Sequence, residues 1–193
     1  MGNLTVEEKR KVRKPLLWIG MASIVMTFAG LTSGYVVSRS ALLLDNRWLQ
    51  FALPTAFYAA TAVMILSSVT MVWAKAAVKK GNISALKMAL TFTLLLGLAF
   101  IVLQYSGAKS MYDQGLFFTG PESNTAISWV YLIAFMHWLH AISGILVLIV
   151  TLIRARKGAY TSTDHYGLDM SAIYWHFLDV LWIYLFLFLA FIR

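Results

Sequence analysis

Cysteine is absent from the 193 residues, which removes disulfides, thiolate metal sites, iron–sulfur clusters and cysteine nucleophiles, whichever compartment the loops face. Charge is scarce as well. Asp, Glu, Lys and Arg together make up 12% of the chain, where a soluble domain carries about 25%. Proline occurs three times, and the two that touch apolar runs, Pro15 and Pro54, stand at their ends. What fills the chain instead is apolar: 60% of the residues, with a mean hydropathy of +0.74. The apolar residues gather in runs of about 20, the length that crosses the hydrocarbon of a bilayer. A water-soluble globule is excluded, and the expected class is an all-α integral membrane protein. The net charge of +8 is read as loop lysine and arginine setting topology, not as a nucleic-acid surface.

Five stretches fit spanning helices: Leu16–Val37, Thr55–Ala74, Ala85–Tyr105, Ser128–Ile153 and Met170–Ile192. They leave a tail over residues 1–15 and connections too short for any extramembrane domain, so residues 16–193 are expected to form one five-helix membrane domain. Function must then reside in or between helices. Of the sixteen Lys and Arg, twelve fall in the tail, the second connection with its flanks and the fourth connection. Only Arg39, Arg47, Lys109 and Arg193 fall on the other side. That asymmetry predicts a cytoplasmic amino terminus and an outside carboxyl terminus. The first apolar run is longer than the core of a secretory signal and lacks a small-x-small cleavage site, so it is read as a retained span. Ala41–Pro54 mixes Leu42, Leu43, Leu44, Trp48, Leu49 and Phe51 with Asp45, Asn46 and Arg47, which suits either a short interfacial helix or an irregular loop.

Ionisable side chains inside a span are costly, about 2.5–3.5 kcal/mol at its centre, so each needs a partner or a cavity. Four such residues stand out. His137 and His140 share one face of the fourth span, and His176 and Asp179 share one face of the fifth, where the carboxylate is expected to accept a hydrogen bond from the imidazole. Axial haem ligation needs two imidazoles at one depth on facing helices, whereas His176 and His140 differ in depth by about 10 Å at the helical rise. These residues are therefore expected to be interhelical polar contacts. A copper or zinc site built from His137, His140 and a third ligand is left open, with no carboxylate nearby to support it. Transport cores carry broken helices around a polar midplane site, and hydrolysis needs a nucleophile with its base or a metal with its water. Neither pattern stands out.

Small residues mark where helices approach closely, Gly20, Ala22, Ser23, Ala29, Gly30, Ser33 and Gly34 in the first span, Ser143 and Gly144 in the fourth. Trp18, Trp73, Trp129, Tyr131, Tyr174 and Trp175 lie near predicted span ends and are expected in the aromatic belts.

The fifth span opens on His165-Tyr-Gly-Leu-Asp169 and continues through Tyr174-Trp175-His176-Phe177-Leu178-Asp179-Val180-Leu181-Trp182. This stretch resembles the last helix of subunit III of the haem-copper terminal oxidases. Phe135-Met136-His137-Trp138-Leu139-His140 with Gly144 looks like the paired-histidine helix of that family. The resemblance is expected to extend over all five spans, weakly in the second and third, and to match a short five-helix bacterial form. It implies a subunit that binds no haem or copper itself, leaves both to partner subunits, packs on catalytic subunit I, holds phospholipid and supports proton uptake in the bacterial plasma membrane. No activity is expected from the chain alone, and no metal ligands are assigned to it.

One departure is that the glutamate usual in the helix equivalent to the first span is replaced by Ile24. Asp169 stands where the family has a glutamate at the start of its last helix. For phospholipid, Arg154, Arg156 and His165 are nominated, because guanidinium groups bind phosphate in a bidentate manner. For the contact with subunit I the nominees are Gly20, Ser23, Gly30 and Gly34. The rival readings are the same role in a quinol oxidase, or an independent haem-b or quinone-binding membrane protein.

Overall fold

A computed structural model describes residues 6–44 and 47–192. Residues 1–5, Asp45, Asn46 and Arg193, together with the side chains of Val6, Glu7 and Lys9, lie outside the described residues. The described chain is helical: α1 (Val6–Leu43), α2 (Thr55–Lys79), α3 (Ile83–Asp113), α4 (Thr125–Arg156) and α5 (Tyr166–Phe191). All five are long and apolar enough to cross a membrane. Each expected span lies within one of these helices, save Ile192 at the end of the last. The helices overrun the apolar runs because polar residues beyond the hydrocarbon continue the backbone hydrogen bonding. Thus α1 starts at Val6 and carries Pro15 within it, so much of the expected tail is helical.

The turns follow from their residues. Between α2 and α3 the chain reverses in three residues: Gly81 takes a φ of 71°, a conformation open to glycine, and Asn82 caps α3 by accepting from the Ala85 N–H at 3.0 Å. Asn124 does the same for α4, accepting from the Ala126 N–H at 2.9 Å while its amide donates to the Arg47 carbonyl. Residues 47–54 are not helical, so this part of the first connection is the irregular alternative. Trp48 is buried there, with its ring 5.1 Å from that of Tyr35.

α2, α3, α4 and α5 form a ring in which each packs on its two neighbours, and α1 lies outside it, against α4 and α5 alone. Glycines let the ring close. A Cβ on Gly144 would meet Leu178 at 2.6 Å, and one on Gly97 would meet Trp175 at 2.8 Å. Trp175 therefore sits in the centre of the bundle, 1% exposed, and not in a belt as expected. Its indole N–H donates to Ser67 Oγ, and the Trp182 indole donates to Thr61 Oγ1. Trp18 and Trp73 do face outward.

Candidate functional site

Three groupings carry the chemistry that the chain can offer. The first is the intramembrane imidazoles and their acid. His137 is fully buried, with its ring centroid 5.1 Å from Trp182, 5.9 Å from Phe100 and 6.3 Å from Phe28. Among the described residues neither of its ring nitrogens has a hydrogen-bond partner, and ring packing stands where the interhelical hydrogen bond was expected. His140 lies against Phe28, and its Nδ1 donates to the Met136 carbonyl of its own helix at 2.7 Å.

His176 does bridge helices, through a 2.7 Å hydrogen bond between Nδ1 and Ser68 Oγ on α2. Asp179 Oδ2 stands 3.8 Å from the same nitrogen, within ion-pair range but beyond hydrogen-bond reach, and among the described residues neither oxygen of this buried carboxylate has a hydrogen-bond partner. The serine has taken the nitrogen that the sequence assigned to the acid. Among the described residues, no three His, Asp or Glu side chains gather as a metal-ligating cluster.

The second grouping is a groove at the basic end of the bundle. Three adjoining cavities of about 360, 290 and 270 Å³ share Arg154 and Gly167. Arg13 of α1 lines two of them, Tyr160 and Tyr166 line two each, and Leu17, Leu146 and Val150 continue the wall toward the hydrocarbon. One rim is tied down. Nη2 of Arg10 contacts both carboxylate oxygens of Asp164 at 2.6 Å, and the Tyr166 hydroxyl donates to the Arg10 carbonyl at 2.9 Å. The Arg10 hydrogen bond holds the Asp164 carboxyl below its ordinary value, and burial pushes the Tyr160 phenol above its own against the opposing pull of Arg154.

Of the nominated lipid residues, Arg154 lines this groove. Arg156 and His165 do not, and His165 Nε2 lies 3.5 Å from Asp169 Oδ2. Asp169 also receives Lys75 of α2 at 3.2 Å. Sequence reasoning missed Arg13 and Tyr160. In the sequence Arg13 reads as a topology charge, and only the continuation of α1 through Pro15 carries it to the groove.

The third grouping is the outer face of α1. Gly20 and Gly30 have open space where a Cβ would stand, and Ser23 is exposed with its hydroxyl returned to the Ile19 carbonyl. Gly34 differs. A Cβ there would lie 2.6 Å from Trp129, so Gly34 is an approach point between α1 and α4 within the chain and not part of an open face.

A ring of four apolar helices with a fifth packed against its side, whose buried polar groups among the described residues are scattered hydroxyls, the Gln104 amide, the His137 imidazole and the Asp179 carboxyl, defines a multi-pass α-helical membrane protein. The family of the chain follows from comparison. The sequence profile described as Cytochrome c oxidase subunit III matches residues 50–192, and this chain belongs to that family. Relatives named Cytochrome c oxidase subunit 3 include those of Pelomedusa subrufa, 39% identical over 127 residues, and of Osphranter robustus and Rattus norvegicus, each 36% identical over 126 residues. These alignments cover 66%, 65% and 65% of this chain and 46% of each relative, so the chain spans about half the length of the curated relatives it matches. The family match embraces α2 to α5 and begins after α1, so the resemblance expected over five spans is found over four, and Ile24 lies outside it.

Proposed function

We propose that the chain is the non-redox subunit III of a haem-copper oxidase that reduces oxygen to water, in the plasma membrane of a bacterium. Haem and copper would reside in partner subunits. The observation that carries this reading is the family match over the four-helix ring, which contains the paired histidines of α4 and the His176–Asp179 segment of α5. Its role is to pack on the catalytic subunit I, with Gly20, Ser23 and Gly30 of α1 as the contact face, and to support proton uptake and the integrity of the complex. His137, His140, His176 and Asp179 serve as packing and polar contacts between helices. The open glycines favour that face, because small residues allow close backbone approach where no hydrophobic force drives helices together.

The basic groove is the phospholipid site, with Arg154 and Arg13 on the phosphate and the apolar wall taking an acyl chain. The test is purification in mild detergent. Oxidase subunits carrying haem and copper should accompany the chain, and separation from them should leave a polypeptide with no Soret band. A stoichiometric Soret band on the isolated chain overturns the reading. Replacing Arg13 and Arg154 together by alanine should reduce the anionic phospholipid retained by the complex, and unchanged retention removes the groove from the proposal.

A further inference from the structure

The seam between α2 and α5 is bridged at three depths. At the basic end, Lys75 Nζ meets Asp169 Oδ1 at 3.2 Å. At the other end, the rings of Tyr58 and Phe186 pack edge to face with their centroids 5.0 Å apart. Between these pairs stands the 2.7 Å hydrogen bond of Ser68 Oγ with His176 Nδ1. Ser68 is seven residues from Lys75 and His176 seven from Asp169, so the imidazole lies about 10 Å deeper than the ion pair at the helical rise. Even so, the His176 side chain is 31% exposed. Its Nε2 has no hydrogen-bond partner among the described residues and is open at the surface of the bundle. Among the described residues α1 makes no contact with α2, so this seam faces outward from the ring.

An imidazole at that depth is costly against lipid tails, and it is too short to reach the headgroups as a lysine can. Acyl chains carry neither donor nor acceptor, so what meets Nε2 has to be brought by another molecule. The surroundings say what kind. Ile65 and Val72, a turn to either side of Ser68, and Val180, a turn beyond His176, are exposed. They make a rim of branched apolar side chains around one polar point, a surface on which a spanning helix can pack closely. The chemistry of the visiting group follows from the ring. With Nδ1 engaged by a hydroxyl that can donate or accept, Nε2 is an acceptor or a donor according to where the ring proton sits. A hydroxyl or a carboxamide satisfies either form, whereas a carboxylate only accepts. A second acid would also repel Asp179, whose Oδ2 already stands 3.8 Å from Nδ1.

From this geometry we infer that the outer face of α2 and α5 is a protein interface within the membrane, covered by a spanning helix of another polypeptide that brings a Ser, Thr, Asn or Gln side chain to His176 Nε2. Ser68 positions the ring for that contact. The inference needs only that the helices span a membrane. It does not depend on the oxidase reading, and it does not use the glycine face of α1.

The experiment places the photo-cross-linker benzoylphenylalanine at Val180 in the full chain, in native membranes, and sequences the joined peptides by mass spectrometry. The probe should attach to a spanning segment of one other polypeptide, within one helical turn of a Ser, Thr, Asn or Gln. His176→Leu should raise the dissociation constant for that polypeptide about threefold, read from cross-linking across a dilution series in detergent, as loss of one hydrogen bond between membrane helices does. Replacing the partner's polar residue by leucine should cost the same, and the two changes together no more than either alone. Ser68→Ala, which leaves Nε2 in place, should keep the attachment at the same segment. Adducts with lipid or quinone alone, attachment to a second copy of this chain, an attached segment without such a polar residue, or additive losses in the double variant would overturn the inference. Should His176→Leu fail to fold, Val180→Trp decides. It adds bulk only to the exposed rim, so it should displace the partner while the isolated chain unfolds at an unchanged temperature, and a partner still bound would refute the interface.

Discussion

Glycine does opposite work at different positions in this chain. At Gly144 and Gly97 the missing Cβ is replaced by Leu178 and Trp175 from a facing helix, so the contact between helices exists only because no side chain intervenes. Gly144→Ala forces a methyl group to 2.6 Å from Leu178 Cδ1 and should destabilise the bundle by about 1–3 kcal/mol, as overpacking does. Gly20→Ala, with open space around it, should leave the stability of the isolated chain unchanged or raise it slightly, because alanine is the better helix former. Thermal unfolding of the purified chain in one detergent distinguishes the two. Sequence reasoning could name Gly20, Gly30, Gly34 and Gly144 as small but could not sort them, and it did not single out Gly97. Gly34, Gly20 and Gly30 fall in one helix with similar neighbours, and only the docking of Trp129 from α4 separates the first from the others. The same limit explains Trp175, which its place near a span end marked as a belt residue until the two glycines that receive its ring were seen to face it.

Helices were the legible level. Apolar length alone placed all five, because a bilayer leaves the backbone no alternative to helix in a single-chain span of this composition. What the sequence withheld was which helix lies beside which, and with it the basic groove, since Arg13 and Arg154 are far apart in the chain and meet only when α1 docks on α4 and α5. The clasp at the start of α1 yields a pH prediction. Asp164 has its carboxyl held below an ordinary value near 3.8 by Arg10, so its contribution is present above that value and is lost as the pH falls through the lowered one. A nitroxide placed by Val12→Cys should show restricted motion from neutral pH down to about 4 and greater motion in stronger acid. Asp164→Asn should give the mobile spectrum already at neutral pH. The pair is solvent-exposed, so high salt should also loosen it. An acid-insensitive spectrum would show that the Tyr166 hydrogen bond to the Arg10 carbonyl holds the segment by itself.

For the molecule as a whole, the charge asymmetry makes a claim about direction that the native lack of cysteine allows to be tested without first removing any. Lys157→Cys should react with a membrane-impermeant maleimide only from the cytoplasmic face, and Thr119→Cys only from the opposite face. Labelling of both from one side would refute the crossing of α4 between them, and labelling with the two faces exchanged would refute the orientation. The three-residue reversal between α2 and α3 bears on assembly in a different way. Because those two helices pack along one another and are joined so tightly, their mutual contacts are among the most local that two spans can make, and local contacts form early. The pair is therefore expected to leave the insertion machinery already zipped as a hairpin, a template on which α4 and then α5 can close the circle, with the order of synthesis and the order of folding running in step.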